Sequence, residues 1–383
     1  MRPAKGTATA VTAATAAALG IGSALAIAAG RYASDAALKA SAHQPLPTEP
    51  RLTVHATAAG RITLTRSLAS QRPGVYGLAG DGGHAVVGPV LEAAETSADT
   101  VVRRLERVTR GALEPGAKVW LTPQVHVGDP RGALGIDHTD VEIPGELGAL
   151  PAWFVPGARD TWVIAVHGLG TTREHPMVVL DFLRRLHLPV LALGYRGDPG
   201  APPSPDGLGH LGESEWRDLD AAIRHAVRHG ARAVVLHGWS TGATMALRAA
   251  ARSPLRARVS GLVLDSPVLD WQATLRALAA ARGTPSPLLP LAVRAAQGRT
   301  GLSGGHPWDG AAPGGPDAPR VPTLVLHGPD DAVAPWALSR QMAEKNPGLV
   351  TLHPVPDAPH GAMWNAAPAR YEEALRRFLT PLM

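Results

Sequence analysis

Ser240 stands in the run Gly238-Trp239-Ser240-Thr241-Gly242, directly after the apolar run Ala233-Val234-Val235-Leu236 and directly before the helix-forming stretch Ala243 to Ala251. A strand that turns sharply into a helix presents a hydroxyl nucleophile at the top of a sheet, and the residues two before and two after it must be small to avoid collision. Gly238 and Gly242 meet that need. The amides at the helix N-terminus then face the oxyanion that forms when a hydroxyl attacks a carbonyl, and Thr241 offers one of them. With 42 glycines in the chain the motif alone is weak, so other residues must agree with it. A second amide is expected from the loop after an earlier strand. His167-Gly168-Leu169-Gly170 follows Trp162-Val163-Ile164-Ala165-Val166, with Leu169 as the expected donor and Gly168 freeing the turn.

A serine hydroxyl needs a base to take its proton, and the base needs an acid to fix its tautomer. In this strand-turn-helix context both follow the serine in the order acid, then histidine. Beyond the last apolar runs come His327-Gly328-Pro329-Asp330-Asp331 and Asp357-Ala358-Pro359-His360-Gly361. Asp331 and His360 fit that order, with Asp265 and Asp330 as competing acids. His360 is expected in a short loop between the Val350 to Val355 run and a helix over Tyr371 to Leu379, and its ordinary pKa suits a base near neutrality. His225 and His229 stand four apart on a helical stretch, but no carboxylate accompanies them in a metal-site pattern. They read as a solvated face, and no metal or cofactor is expected.

The elements that must position these residues are those of a mostly parallel sheet with helices on both faces. From Asp137 onward, short apolar runs, with Pro189 to Leu193, Gly261 to Leu264 and Thr323 to Leu326 besides those above, alternate with amphipathic stretches such as Glu215 to His229. Glu213 to Trp216 reads as a helix start. Trp271 to Arg320 is too long for a simple crossover; its first half keeps apolar helical periodicity and its second is Gly- and Pro-rich around His306 to Asp309, so 271–320 is read as a lid-like insertion.

Ahead of this region, residues 41–128 begin with a polar, Pro-containing linker and continue as a β-rich accessory region, with strands over Arg61 to Thr65 and Gly83 to Val90. Ala98 to Thr109, with Val101, Val102, Leu105 and Val108 on one face, is read as a helix packed on it. Residues 1–40 hold an uncharged Ala/Gly/Thr stretch from Thr7 to Gly30, preceded by Arg2 and Lys5 and closed by Arg31. That is long enough to span a bilayer or to act as an export signal, so the expected location is the membrane or the cell envelope.

Composition narrows the classes further. The chain has 383 residues and no cysteine, which excludes disulfides, thiolate metal sites and a cysteine nucleophile. The formal charge of +5 comes from scattered arginines, with no basic run interleaved with aromatics, so a nucleic-acid partner is not expected.

The residues His167 to Gly170, Tyr195-Arg196-Gly197, Gly238 to Gly242, the Gly328 to Pro335 segment and His360-Gly361 followed by Trp364 and Asn365 resemble the α/β-hydrolase superfamily, especially its prolyl-oligopeptidase-like and serine-aminopeptidase-like esterase and peptidase branches. The resemblance covers most of Asp137 to Met383. In that family the acid stands three residues after the strand-end glycine and four before a proline, which selects Asp331 over Asp330. Thr241 departs from the Met, Gln or Gly of many relatives, and residues 51–128 match no accessory domain of the family. The resemblance implies a serine hydrolase acting on a small acyl ester or a peptide through an acyl-enzyme. Serine peptidase, acyltransferase or thioesterase activity, and a non-catalytic interaction module, are the alternatives.

Overall fold

The structure is a computed structural model that describes residues 27–39, 46–92, 97–300, 315 and 318–383. Short segments of alternating apolar and polar residues open the β-rich part: β1 (Leu52–Ala58), β2 (Arg61–Thr65), β3 (Tyr76–Gly80), β4 (Gly83–Val90), β5 (Thr100–Gly111) and β6 (Lys118–Thr122). All their pairings are antiparallel, and they close into a barrel in the order β1-β2-β5-β4-β3-β6. The alternating residues Leu52, Val54, Ile62, Leu64, Leu78, Val87 and Val119 fill the interior. Register shifts within β1/β2 and β4/β5 supply the bends that closure of so small a barrel requires.

The helix expected over Ala98 to Thr109 is strand β5. A helix would bury Leu105 and Val108 on one stripe, whereas Val108 is 46% exposed. The β-branched Thr100, Val101, Val102, Val108 and Thr109 favour the pleated conformation, and β5 is paired on both edges, Val101 with Leu64 and Leu105 with Val87. Apolar spacing in this short stretch satisfied both periods, and tertiary pairing decided between them.

Arg103, on β5, is fully buried. Its guanidinium donates to the carbonyls of Gly88 (2.9 Å), Ser70 (3.1 Å), Arg72 (2.7 Å) and Gly74 (2.9 Å) and lies 5.6 Å from the Tyr76 ring centroid. Burial pulls its pKa down to about 10, still charged at neutral pH. One side chain thereby satisfies the carbonyls of the 70–74 loop, which has no ladder of its own.

The remainder is an eight-stranded sheet in the order β14-β13-β12-β11-β9-β10-β8-β7. Its strands are β7 (Thr139–Pro144), β8 (Ala149–Val155), β9 (Thr161–Val166), β10 (Val190–Leu193), β11 (Ala233–Trp239), β12 (Val259–Asp265), β13 (Thr323–His327) and β14 (Val350–Pro354). The strands β9 to β14 pair in parallel, while β8 runs antiparallel to both β10 and β7. In chain order the helical segments are α1 (27–38), α2 (Pro130–Leu134), α3 (Met177–Arg185), α4 (Trp216–Arg228), α5 (Thr241–Arg252), α6 (Trp271–Ala281), α7 (Leu289–Thr300), α8 (Trp336–Lys345), α9 (Met363–Ala366) and α10 (Pro368–Leu379). Leu219 and Ile223 of α4 and Met245 of α5 cover one face of the sheet. Phe182 of α3 and Tyr371 and Leu375 of α10 cover the other.

The insertion after β12 begins with α6 and α7; residues 301–314 and 316–317, including His306 to Asp309, lie outside the described residues. Most of the expected bilayer span, residues 7–26, also lies outside them. No helix among the described residues is long and apolar enough to cross a membrane. The end of that segment is α1, whose Ala37 and Leu38 pack into a cluster with Trp271, Leu275 and Val293 of the insertion. Residues 27–38, the end of the 1–40 segment, thus pack on the helices of the insertion.

Replacing Arg103 by Met keeps much of the volume but strands four carbonyls. The expected loss is about 3 kcal/mol, read as a lower urea midpoint, with Arg103→Lys intermediate. An unchanged midpoint in Arg103→Met would refute the assigned role.

Candidate active site

β11 is buried from Val234 to its end and delivers Ser240 at its tip, immediately before α5. Ser240 has φ 53° and ψ −117°, a left-handed backbone that costs a non-glycine residue about 1–3 kcal/mol unless its surroundings enforce it. The enforcement is visible. The Ser240 amide donates to the Asp265 carbonyl at 2.8 Å, and its carbonyl accepts from the Ala243 amide at 3.1 Å. A Cβ at Gly238 would sit 2.3 Å from the Gly242 oxygen, and one at Gly242 would sit 2.3 Å from the Val166 oxygen. Both glycines are therefore required by the closeness of the turn.

The structure brings Ser240, His360 and Asp331 into one line. Ser240 Oγ donates to His360 Nε2 at 2.6 Å, and His360 Nδ1 donates to Asp331 Oδ2 at 2.7 Å. Asp331 Oδ1 accepts from the Val333 and Ala334 amides, each at 2.8 Å. Burial alone would raise the Asp331 pKa; His360 beside it and the hydrogen bonds from His327 and His360 outweigh that and hold the carboxyl far below the usual range.

The competing acids are placed elsewhere. Asp330 Oδ2 accepts the Asp357 amide at 2.8 Å and steadies the loop that carries His360. Asp265 Oδ1 accepts from Ser266 Oγ at 2.9 Å, and Ser266 Oγ accepts from the Gly361 amide at 3.0 Å, so Asp265 braces the histidine loop from behind. Burial pushes the Asp265 carboxyl up to about 7.

Gly168 lies against the elbow: a Cβ there would stand 2.5 Å from Ser240 Cβ. Thr241 opens α5, so its amide is one of those with no acceptor inside the helix. Leu169 borders the same cavity as Ser240. The loop is anchored at its start by His167, whose Nε2 donates to Asp198 Oδ2 at 2.7 Å and whose ring stacks on Tyr195 at 4.5 Å. Arg196 is tied to Asp218 by two bonds of 2.8 and 2.6 Å. The Tyr195-Arg196-Gly197 motif is thus scaffolding. His225 and His229 stack on each other at 4.0 Å, and no cluster of metal-ligating groups occurs among the described residues.

Sequence reasoning missed two contributors. His327 Nε2 donates to Asp331 Oδ2 at 3.0 Å while its Nδ1 accepts from Ser339 Oγ at 2.7 Å. Gln124, just past the barrel, accepts the Thr172 amide at 3.2 Å and donates to Glu174. His327 sits in the motif that contains Asp331, four residues before it, and that proximity was the available signal. Gln124 had none, because its partner loop is about fifty positions away.

The Asp265 shift makes stability depend on pH. The unfolded chain releases this proton near 3.9, whereas the folded protein keeps it up to about 7. Between those values the folded state binds the extra proton, so stability falls as pH rises, and above the folded value the loss is complete. Asp265→Asn is expected to gain on the wild type from about pH 4 to about pH 7, with a constant gap above that. Parallel urea-midpoint curves across this range would contradict the assignment.

A family model described as the alpha/beta hydrolase family matches residues 163–374, and one described as a domain of unknown function matches residues 53–122. No curated protein matches the chain. Among solved structures, an esterase of Pyrococcus furiosus is similar in two crystal forms. One has 22% identity and a TM-score of 0.53, covering 67% of this chain and 94% of that one. The other has 21% identity and a TM-score of 0.51, covering 67% and 96%. At this identity the likeness shows the fold. The family match spans more than half of the sequence and includes Ser240, Asp331 and His360. The chain belongs to the alpha/beta hydrolase family and is an enzyme, a hydrolase.

Proposed function

We propose that the protein is a serine esterase that cleaves carboxylic esters through an acyl-enzyme on Ser240. The observation that carries the reading is the unbroken hydrogen-bonded line from Ser240 Oγ through His360 to Asp331, at 2.6 and 2.7 Å. His360 Nε2 takes the Ser240 proton as Oγ attacks the carbonyl carbon. The proton then passes to the departing alkoxide, leaving Ser240 esterified. Water enters, gives its proton to the same nitrogen, and attacks the acyl carbon; the acid departs and the proton returns to Oγ. Asp331 keeps the imidazole in the Nδ1-protonated tautomer and balances the imidazolium charge. The Leu169 and Thr241 amides stabilise the oxyanion. The ester preference is supported by the cavity, about 340 Å³ and bordered by Leu46, Trp120 and Leu121, which suits a small acyl compound, and by the esterase that shares the fold.

His327 acts on the reaction through Asp331. It adds a donor to the carboxylate and, by accepting from Ser339, is itself held in the Nε2-protonated tautomer.

Labelling with a fluorophosphonate probe is expected in the wild type and lost in Ser240→Ala and His360→Ala. Turnover of a short-chain nitrophenyl ester, with free acid as product, should fall about 10⁴-fold in Asp331→Asn. Persistent labelling of Ser240→Ala, or none of the folded wild type, would overturn the mechanism. His327→Leu is expected to lower kcat about tenfold with KM unchanged, and His327→Gln, which keeps a donor at the Nε2 position, to retain most activity. Equal kcat in His327→Leu and wild type would remove His327 from the account.

A further inference from the structure

The cavity that holds Ser240 has walls from two folds. One wall carries Trp239, His360 and the Gly168 to His175 loop; the other carries Tyr76 of β3, Trp120 and Leu121 of β6, and Gln124 just beyond. The barrel is fastened to both loops that approach Ser240. On one side Gln124 binds the Thr172 amide and Glu174, and Glu174 Oε1 accepts the Gly128 amide at 2.9 Å. On the other, the buried Asn365 donates from Nδ2 to the carbonyls of Val75 (3.0 Å) and Pro123 (3.1 Å), and its own carbonyl accepts the Val75 amide at 2.9 Å. The joint is also tight: a Cβ at Gly74 would stand 2.0 Å from the Asn365 oxygen. So many directional bonds at a close-packed joint make the barrel wall a fixed part of the cavity.

The chemistry of the cavity is specific. Its carboxylates are already committed: Glu49 pairs with Arg72 at 2.6 Å, Asp198 with His167 at 2.7 Å, and Glu174 as above. Among the described residues that line it, the buried polar atoms without a partner are the Tyr76 hydroxyl, on a side chain only 1% exposed, Trp239 Nε1, on a fully buried side chain, and His175 Nε2. A buried polar group left unpaired costs about 1–3 kcal/mol, which a bound acceptor removes. Burial drives the Tyr76 pKa far above its ordinary value, so the phenol keeps its proton and serves as a donor. The cavity is also lined by the rings of Trp120, Trp153 and Trp239, apolar surface against which a compact ring packs. A cavity of about 340 Å³ is near the lower end of small-molecule sites, which span roughly 300–1,000 Å³, and favours a compact arm.

We propose that the barrel is the specificity half of the active site: its β3 and β6 face binds the non-reacting arm of the ester, a compact apolar ring bearing a neutral hydrogen-bond acceptor that the Tyr76 hydroxyl engages. This rests on the esterase reading, and it gives the segment matched by the domain of unknown function a task in substrate selection.

The test reads binding in the full-length Ser240→Ala protein, so that esters survive titration. Two pairs of probes place the ring on either side of the ester: methyl 4-acetylbenzoate against methyl 4-isopropylbenzoate, and 4-acetylphenyl acetate against 4-isopropylphenyl acetate. The acetyl compound of at least one pair is expected to bind about tenfold more tightly than its near-isosteric partner, and the added change Tyr76→Phe to erase the difference. Equal affinities within both pairs, no binding of any probe up to its solubility, or a preference that survives Tyr76→Phe would each overturn the proposal. The first two need no second variant, so a folding defect in Tyr76→Phe does not shield it. Fluorophosphonate labelling of the wild type reports on the esterase reading separately.

Discussion

A serine backbone held at φ 53° between β11 and α5 is the constraint from which the rest of the site follows. The turn is unfavourable in isolation, so its neighbours must leave room and supply restraint. Gly238 and Gly242 leave the room, Gly168 lets the loop after β9 lie against the elbow, and the Asp265 carbonyl supplies the restraint from the adjacent strand. Because β11 is central in the sheet, with β9 and β12 on its two sides, the elbow is fixed by parallel ladders on both edges. The helices that bury the two faces stop it from relaxing.

Asp331 and His360 reach this fixed point from neighbouring strand ends. Asp331 follows β13 and His360 follows β14, and both loops are pinned by short local bonds: the Val333 and Ala334 amides for the first, Asp330 and Ser266 for the second. The result is a continuous line of hydrogen bonds from Asp331 through His360 to Ser240. Asp265, which the sequence offered as a rival acid, is used as a brace, and its raised pKa follows from burial in the core.

Much of this was legible in the sequence because it is encoded over short distances. The Gly-Trp-Ser-Thr-Gly turn, the apolar runs that became β9 to β14, and the choice of Asp331 over Asp330 all depend on residues within a few positions of one another. The misread parts depend on partners far away. The stretch after Ala98 satisfied two periodicities, and only pairing with β2 and β4 made it a strand. Gln124 and Asn365 acquire their meaning solely from the meeting of two folds, and nothing local in the chain announces that meeting.

That meeting also orders events in time. The Val75 contact with Asn365 joins positions 290 apart, and Ser240 is separated from His360 by 120. The barrel's pairings span shorter stretches, from the β1/β2 and β3/β4 hairpins to the closing pair Leu52 with Val119, so less loop-closure entropy stands against them. On a ribosome the barrel and the elbow emerge before the loop that carries His360, so a growing chain carries a cavity missing one side. The barrel is therefore complete in sequence before the segment that carries His360 and Asn365 can dock on it.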